Sequence, residues 1–241
     1  MPVPRIVPAL LSFTAGFVDA CTFLALFGLY VAQVTGSFVV FGAGLVAHEE
    51  GFIIKVLAIP MFFAAGVFAT IFAEVLRRRG HAPLPYALAL ECALLAGFLV
   101  LGLTAPMRDA NAPATVLAAM LGLSAMGVQS ALVRLLMPGA ASTNVMTTNT
   151  TLFAIDTGEL LLGWHGKRRG DVESAAQFAA ARERLRHLIP LGIGFFLGTA
   201  VGAVAYVMFG LVCLVVVLVL LVGLALWAAQ GEFTPPSRPL P

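Results

Sequence analysis

The chain has 241 residues and a net charge of +2; 60% of its residues are apolar and 11% charged, against roughly 45–50% and about 25% in an ordinary soluble domain. A mean hydropathy of +0.99 leaves too little polar surface to cover a water-soluble globule, so the bilayer is the expected solvent. Basic residues gather in loops rather than in a stripe, which excludes the footprint of a nucleic-acid binder, and Cys21, Cys92 and Cys213, each inside an apolar run, fit neither a disulfide framework nor metal-ligand spacing.

About 20 apolar residues cross a hydrocarbon core. On that ruler six segments span: roughly 7–29, 53–76, 84–104, 113–137, 187–209 and 211–229. Arg5 followed by Pro8 to Val18 has the outline of a signal peptide, but Asp19 suits no cleavage site and the apolar pattern continues to Leu29, so the segment reads as a retained first span. Two further segments are short or polar. Residues 33–47 open with Gln33, Thr35 and Ser37, and residues 145–163 follow Asn144 and carry Thr147, Thr148, Asn149, Asp156 and Glu159.

Lys and Arg accumulate on the cytoplasmic side of short loops. The rich loops here are Arg77-Arg78-Arg79 and the stretch from Lys167 to Arg186. Eight full crossings would put them on opposite faces. If 33–47 and 145–163 each enter and leave on one side, both loops, Arg5 and Arg238 share one face. The expected architecture is therefore an all-α membrane protein of six spans plus two re-entrant segments, with both termini cytoplasmic. The opposite face then carries His48-Glu49-Glu50-Gly51, Lys55 and the Met107–Ala112 turn. Within the second basic loop, Asp171 to Arg186 has the spacing of a short amphipathic helix, with a flexible loop as the alternative. The proline-rich end, 232–241, reads as a disordered tail.

The two halves resemble each other. Gly16-Phe17-Val18-Asp19-Ala20 lies opposite Gly127-Val128-Gln129-Ser130-Ala131 at an offset of 111, Thr35-Gly36-Ser37 opposite Thr148-Asn149-Thr150 at 113, and Ile59-Pro60 opposite Ile189-Pro190 at 130. A first repeat, 1–110, and a second, 111–231, would each hold three spans and one re-entrant segment. Three is odd, so the second unit starts from the opposite side: an inverted 3+3 repeat, common in transporters. Chance matching of Gly- and Ala-rich stretches is the competing explanation.

These three motifs, in this order, resemble the YoaK-type family of bacterial integral membrane proteins, a family of unknown function, over nearly the whole chain. The family pattern has Thr-Gly-Asn where Thr35-Gly36-Ser37 stands and Thr-Gly where Thr148-Asn149 stands, so the sequence departs at both. Asn149 still suits a left-handed turn. The resemblance implies a bacterial inner-membrane protein and supplies neither reaction nor ligand.

Asp19, near mid-span, is the sharpest candidate, because a carboxylate there should face protein or water. It reads either as an ion or proton site or as a structural carboxyl bonded to Thr22 or to the backbone of a re-entrant segment. Arg134, one turn before Pro138, either pairs with Asp19 or snorkels to the interface. Asp156 and Glu159 share a helix face, as a cation-binding pair or a solvated stripe. Glu91 either lines a cavity or leans toward the interface, and Glu74 reads as a partner of the basic loop. Gly192, Gly194, Gly198 and Gly202 form a small-residue stripe for helix packing. Thr35, Gly36 and Ser37, and Thr148, Asn149 and Thr150, have the composition of N-caps whose helices would start near mid-membrane and converge on an anion or on Asp19.

No hydrolase or nucleotide-binding motif is present. The expected function is a small transporter or channel-like permease for a small polar or ionic solute. Its site would be drawn from Asp19, Gln33, Thr35, Gly36, Ser37, Gln129, Ser130, Arg134, Thr148, Asn149, Thr150 and Asp156. An intramembrane enzyme using Asp19 with Glu91 or Asp156, and a non-transporting scaffold, are the alternatives. Expected partners are the lipid bilayer, an unknown small solute and, as an open alternative, a second copy of the chain (a homo-oligomer), with no cofactor, no metal and no nucleic acid.

Overall fold

The computed structural model describes residues 4–47, 51–137, 141–168 and 172–231. Residues 232–241, expected as a tail, together with His48-Glu49-Glu50, Pro138 and the side chains of the 167–170 basic run, lie outside the described residues. Among those described there are eight α-helices, one short 3-10 segment and no strand.

The apolar runs become α1 (Ile6–Ala25), α3 (Phe52–Arg78), α4 (Pro83–Thr104) and α5 (Pro113–Leu136). Pro83 and Pro113 each start a helix, where a missing N–H costs nothing. The two polar or short segments form α2 (Val34–Ala47) and α6 (Met146–Arg168). Last come α7 (Val172–Phe209), a 3-10 turn at Gly210–Leu214 and α8 (Val215–Gln230).

Five stretches are long and apolar enough to cross a membrane: α1, α3, α4, α5 and the 58 residues from Glu173 to Gln230. The chain is a multi-pass membrane protein. Coverage sorts the helices, since 72% of the apolar stretch of α1 and 67% of that of α5 are buried against 22% for α3. α1 and α5 thus form the centre, and α3 faces outward with Phe63, Phe68 and Ile71 exposed.

Two differences from the sequence expectation have physical causes. The first span ends as helix at Ala25 rather than Leu29, because Phe27 and Gly28 turn left-handed at φ 54° and 77°; Leu26, Leu29, Val31 and Ala32 stay buried all the same. The amphipathic helix expected at 171–186 is not separate: it is the start of α7, one 38-residue helix.

α1 packs most extensively on α7, and glycine makes that approach close. The position a Cβ would take on Gly194 is 2.5 Å from the carbonyl oxygen of Ala9, that on Gly202 is 2.7 Å from the carbonyl of Phe17, and that on Gly198 overlaps the carbonyl of Phe13. Gly16 of α1 lies equally close to Phe195 and Thr199 of α7. Gly192, expected in the same stripe, meets nothing within 4 Å and stands outside the contact. α5 packs on α3 in the same manner, with Gly127 against Phe62 and Ala65. α2 lies on α3, α6 on α7, and α4 between α5 and α8.

Polar contacts tie neighbouring helices to one another. Arg77 of α3 donates to the carbonyl of Leu135 at the end of α5 (3.2 Å), Gln129 of α5 to the carbonyl of Leu11 in α1 (3.0 Å), and Arg5 before α1 to Glu183 of α7. Glu74 pairs with Arg78 at 2.9 Å, as an end-of-helix partner should.

Candidate functional site

Asp19 is 3% exposed on α1. Its Oδ1 accepts the backbone N–H groups of Val31 (2.8 Å) and Ala32 (2.7 Å), in the non-helical stretch that leads into α2. Two N–H groups that would be orphaned in a bilayer are thereby satisfied. Gln33 comes next, half-buried, with its polar groups toward the same carboxylate. Thr22 bonds the backbone carbonyl of Asp19 instead, at 3.2 Å. Of the two structural readings of Asp19, its carboxylate bonds the backbone that leads into α2 rather than Thr22.

A second knot ties the start of α6 to α5 and α1. Asn144 Nδ2 donates to Ser130 Oγ at 2.8 Å; Gln129 Nε2 donates to Thr143 Oγ1 (3.2 Å) and Asn144 Oδ1 (3.1 Å); Thr143 Oγ1 donates to Asn144 Oδ1 at 2.8 Å. Ser12 of α1 donates to the carbonyls of Thr143 (3.2 Å) and Leu191 (2.9 Å). Sequence reasoning did not single out Ser12 or Thr143. A signal existed for Asn144: at the offset of 113 it stands opposite Val31, the residue Asp19 holds.

Ser12 and Asp19 are seven residues apart, two turns of one helix and about 10 Å along its axis. They hold the starts of α6 and α2 respectively. No described residue of α2 packs against α6.

The remaining candidates are distributed. Ser37 and Asn149 are buried, with Asn149 Nδ2 donating to the Ser142 carbonyl at 2.6 Å. Thr35, Thr148 and Thr150 are exposed on the first turns of α2 and α6, and Gly36 packs beside Tyr30. Arg134 is exposed at the end of α5, so pairing with buried Asp19 finds no geometry there.

Asp156 is 3% exposed and its Oδ1 accepts from Arg184 Nε at 2.6 Å, while Glu159 accepts from the same guanidinium. The two carboxylates do share a helix face and do hold a cation, and that cation is a side chain of α7. Glu183, in the charged part of α7 ahead of the apolar stretch, is pushed up by partial burial and pulled down more strongly by Arg5 and Arg186, which leaves its carboxyl below the usual glutamate range.

Several buried polar atoms have no hydrogen-bond partner among the described residues: Thr14 Oγ1, Asp19 Oδ2, Gln129 Oε1 and both carboxylate oxygens of Glu91. No group of three His, Cys, Asp or Glu residues with the geometry of a metal site occurs among the described residues.

The chain matches, over residues 7–227, a family described as proteins of unknown function, DUF1275. It belongs to that family. The match to DUF1275 covers α1 to α8, agreeing with the near-complete resemblance read from the three motifs. No curated protein and no solved structure matches the chain.

Proposed function

We propose that this DUF1275 protein is a small transporter or channel-like permease for a small polar or ionic solute, with its site on α1 between the starts of α2 and α6. The observation that carries the reading is that both segments begin in the buried interior, tied to Asp19 and to Ser12. Irregular backbone at membrane depth is tolerated only where protein or a water-filled cavity surrounds it, and it is how transporters build their substrate sites.

An inverted 3+3 repeat of six crossings, divided at 110/111, underlies this reading. Its support is the exchange of partners: α1 with α7 and α5 with α3, α2 with α3 and α6 with α7. Gly16 meets Phe195 as Gly127 meets Phe62 and Ala65. The 58-residue stretch from Glu173 would be about 87 Å long if straight, nearly three times the hydrocarbon thickness, so it turns, and Gly210 at φ 60° supplies the place. Arg5, Arg77 and Glu183 are assigned to one end of the bundle, on the cytoplasmic side of a bacterial inner membrane. Cysteines placed at Arg79 and Arg182 are expected to react only from that side, and one at Asn111 only from the other. Opposite labelling of Arg79 and Arg182 would end the inverted repeat.

An enzyme built on Asp19 with Glu91 has less support, since α1 and α4 do not pack on each other among the described residues, and Asp156 is already engaged by Arg184. The test of transport is a thermal-shift screen of the purified protein against small polar and ionic solutes, because binding stabilises the native state, followed by uptake of any hit into proteoliposomes. Asp19→Asn should abolish the ion dependence of binding while the protein stays folded. Thr35→Val and Thr148→Val should each weaken an anionic ligand by about 1–2 kcal/mol, the value of one hydrogen bond. Unaltered binding in both, or a ligand bound without uptake, would turn the reading toward a scaffold.

A further inference from the structure

Glu91 stands eight residues into the 22-residue α4, about 12 Å along a helix of about 33 Å. Its exposure is 0%, and neither carboxylate oxygen has a donor among the described residues. α5 packs on one flank of this helix, with Gly97 beside Leu121 and Gly122 beside Phe98; α8 packs on the other, where Cys92 Sγ lies 3.8 Å from the carbonyl of Leu218. A charge in that position would have neither water nor counter-ion, and a buried acid escapes the cost by carrying a proton.

The surroundings offer no substitute. α8 has no titratable residue at all; α5 has only Arg134, exposed near its C-terminus; the 3-10 turn has Cys213, beside Cys21 of α1; α3 carries Lys55, Glu74, Arg77 and Arg78; α4 itself carries Tyr86 and Cys92. None of them bonds to Glu91.

Nor does packing call for an acid. At the offset of 130 that superposes Pro60 on Pro190, the counterpart of Glu91 is Leu221, which is equally buried in α8. What distinguishes Glu91 from a leucine is an exchangeable proton. α8, which packs on α4, is also joined to α7 through a break, the positive-φ Gly210, and beyond that turn, among the described residues, it packs on α4 and α1 alone.

We infer that Glu91 is a reversible proton-binding site, occupied when α4 and α8 are closed on each other and emptied when their separation admits water. The ligand is a proton, delivered as hydronium; the carboxyl oxygen forms an O–H bond on closure and returns the proton to water on opening. Its use as the coupling group rests on the transport reading, whereas its occupancy does not.

Infrared spectroscopy on the purified full-length protein in lipid nanodiscs decides occupancy. At neutral pH the wild-type spectrum is expected to contain one protonated-carboxyl C=O band that persists in Asp19→Asn and disappears in Glu91→Gln. Absence of the band, or the same band in Glu91→Gln, overturns the site. Loss of the band on adding sodium ions at fixed pH also overturns it, in favour of a metal-cation site. Should Glu91→Gln fail to fold, Glu91→Asp and carbon-13 labelling of glutamate replace it, since only a protonated glutamate shifts with the label. Proteoliposomes then test the coupling: wild-type protein should collapse an imposed pH gradient at least tenfold faster than Glu91→Gln. A present band with equal leak in both leaves the proton site standing and removes proton-coupled transport.

Discussion

The backbone of α7 at Gly198 lies directly against the carbonyl oxygen of Phe13 in α1, so closely that the two helices touch without an intervening side chain. Close approach of this kind replaces the hydrophobic driving force that helices lack inside lipid. Gly198→Val should therefore push the helices apart and destabilise the protein by about 1–3 kcal/mol or more, the usual cost of overpacking. Gly192→Ala, on the same helix but facing open space, should be neutral or slightly stabilising, since alanine is favoured over glycine in a helix. Thermal unfolding followed by the fluorescence of Trp164 and Trp227 distinguishes the two; equal effects would mean that α1 and α7 do not meet at this glycine.

At Asp19 the structural role and the ionic role separate by substitution. Asp19→Ala leaves the N–H groups of Val31 and Ala32 buried without an acceptor, at about 1–3 kcal/mol for each. Asp19→Asn keeps an oxygen that can accept both and should unfold close to wild type. If the alanine variant is as stable as the asparagine one, the Asp19 carboxylate does not hold the start of α2.

The Arg184 clamp joins α6 to α7 across 28 residues of chain. Arg184→Ala would leave Asp156 buried with its charge uncompensated, and limited proteolysis should then cut the α6–α7 connection earlier than in wild type. Asp156→Asn in the same background should restore part of the protection by removing that charge. Protection that is insensitive to both would show the hairpin to be held by apolar packing alone.

Glu183 gives the same end of the molecule an acid dependence. Its carboxyl is held below the usual range in the folded protein, so it binds its proton less readily there than in the unfolded chain. The stability it contributes is present above the unfolded glutamate range and is lost as pH falls through the folded value. Arg5→Ala should make unfolding less acid-sensitive than in wild type across that window, measured as thermal midpoint against pH. An unchanged profile would mean that the Arg5–Glu183 pair is too well screened to matter, as exposed pairs often are.

How much of this was legible depended on the kind of signal. The apolar ruler located the ends of α3, α4 and α5 to within a residue or two, because a bilayer imposes a length. It overran α1, since Leu26 and Leu29 are as apolar and as buried outside the helix as inside it. It also could not tell that the charged start of α7 continues into a span, because helical spacing alone does not say where water ends. The shared face of Asp156 and Glu159 was readable from their separation of three, but not the identity of their cation, which comes from a residue distant in sequence. Ser12 and Thr143 escaped notice because single hydroxyls in apolar runs are ordinary; only the fold shows that one bonds the other's backbone.

The close seam between α1 and α7 also bears on how the molecule is made. α1 leaves the ribosome well before α7, so the face that receives Gly194, Gly198 and Gly202 waits for residues synthesised more than 150 positions later. Until then the strip formed by Ala9, Phe13 and Phe17 must face lipid or a transient companion, whereas Asp19 finds Val31 and Ala32 almost at once. The order of synthesis thus sets the order of assembly, with the α1–α2 elbow formed early and the central seam closed only once α7 is made. Nascent chains arrested before residue 172 should accordingly have the first without the second, and should be the stage most open to degradation by membrane proteases.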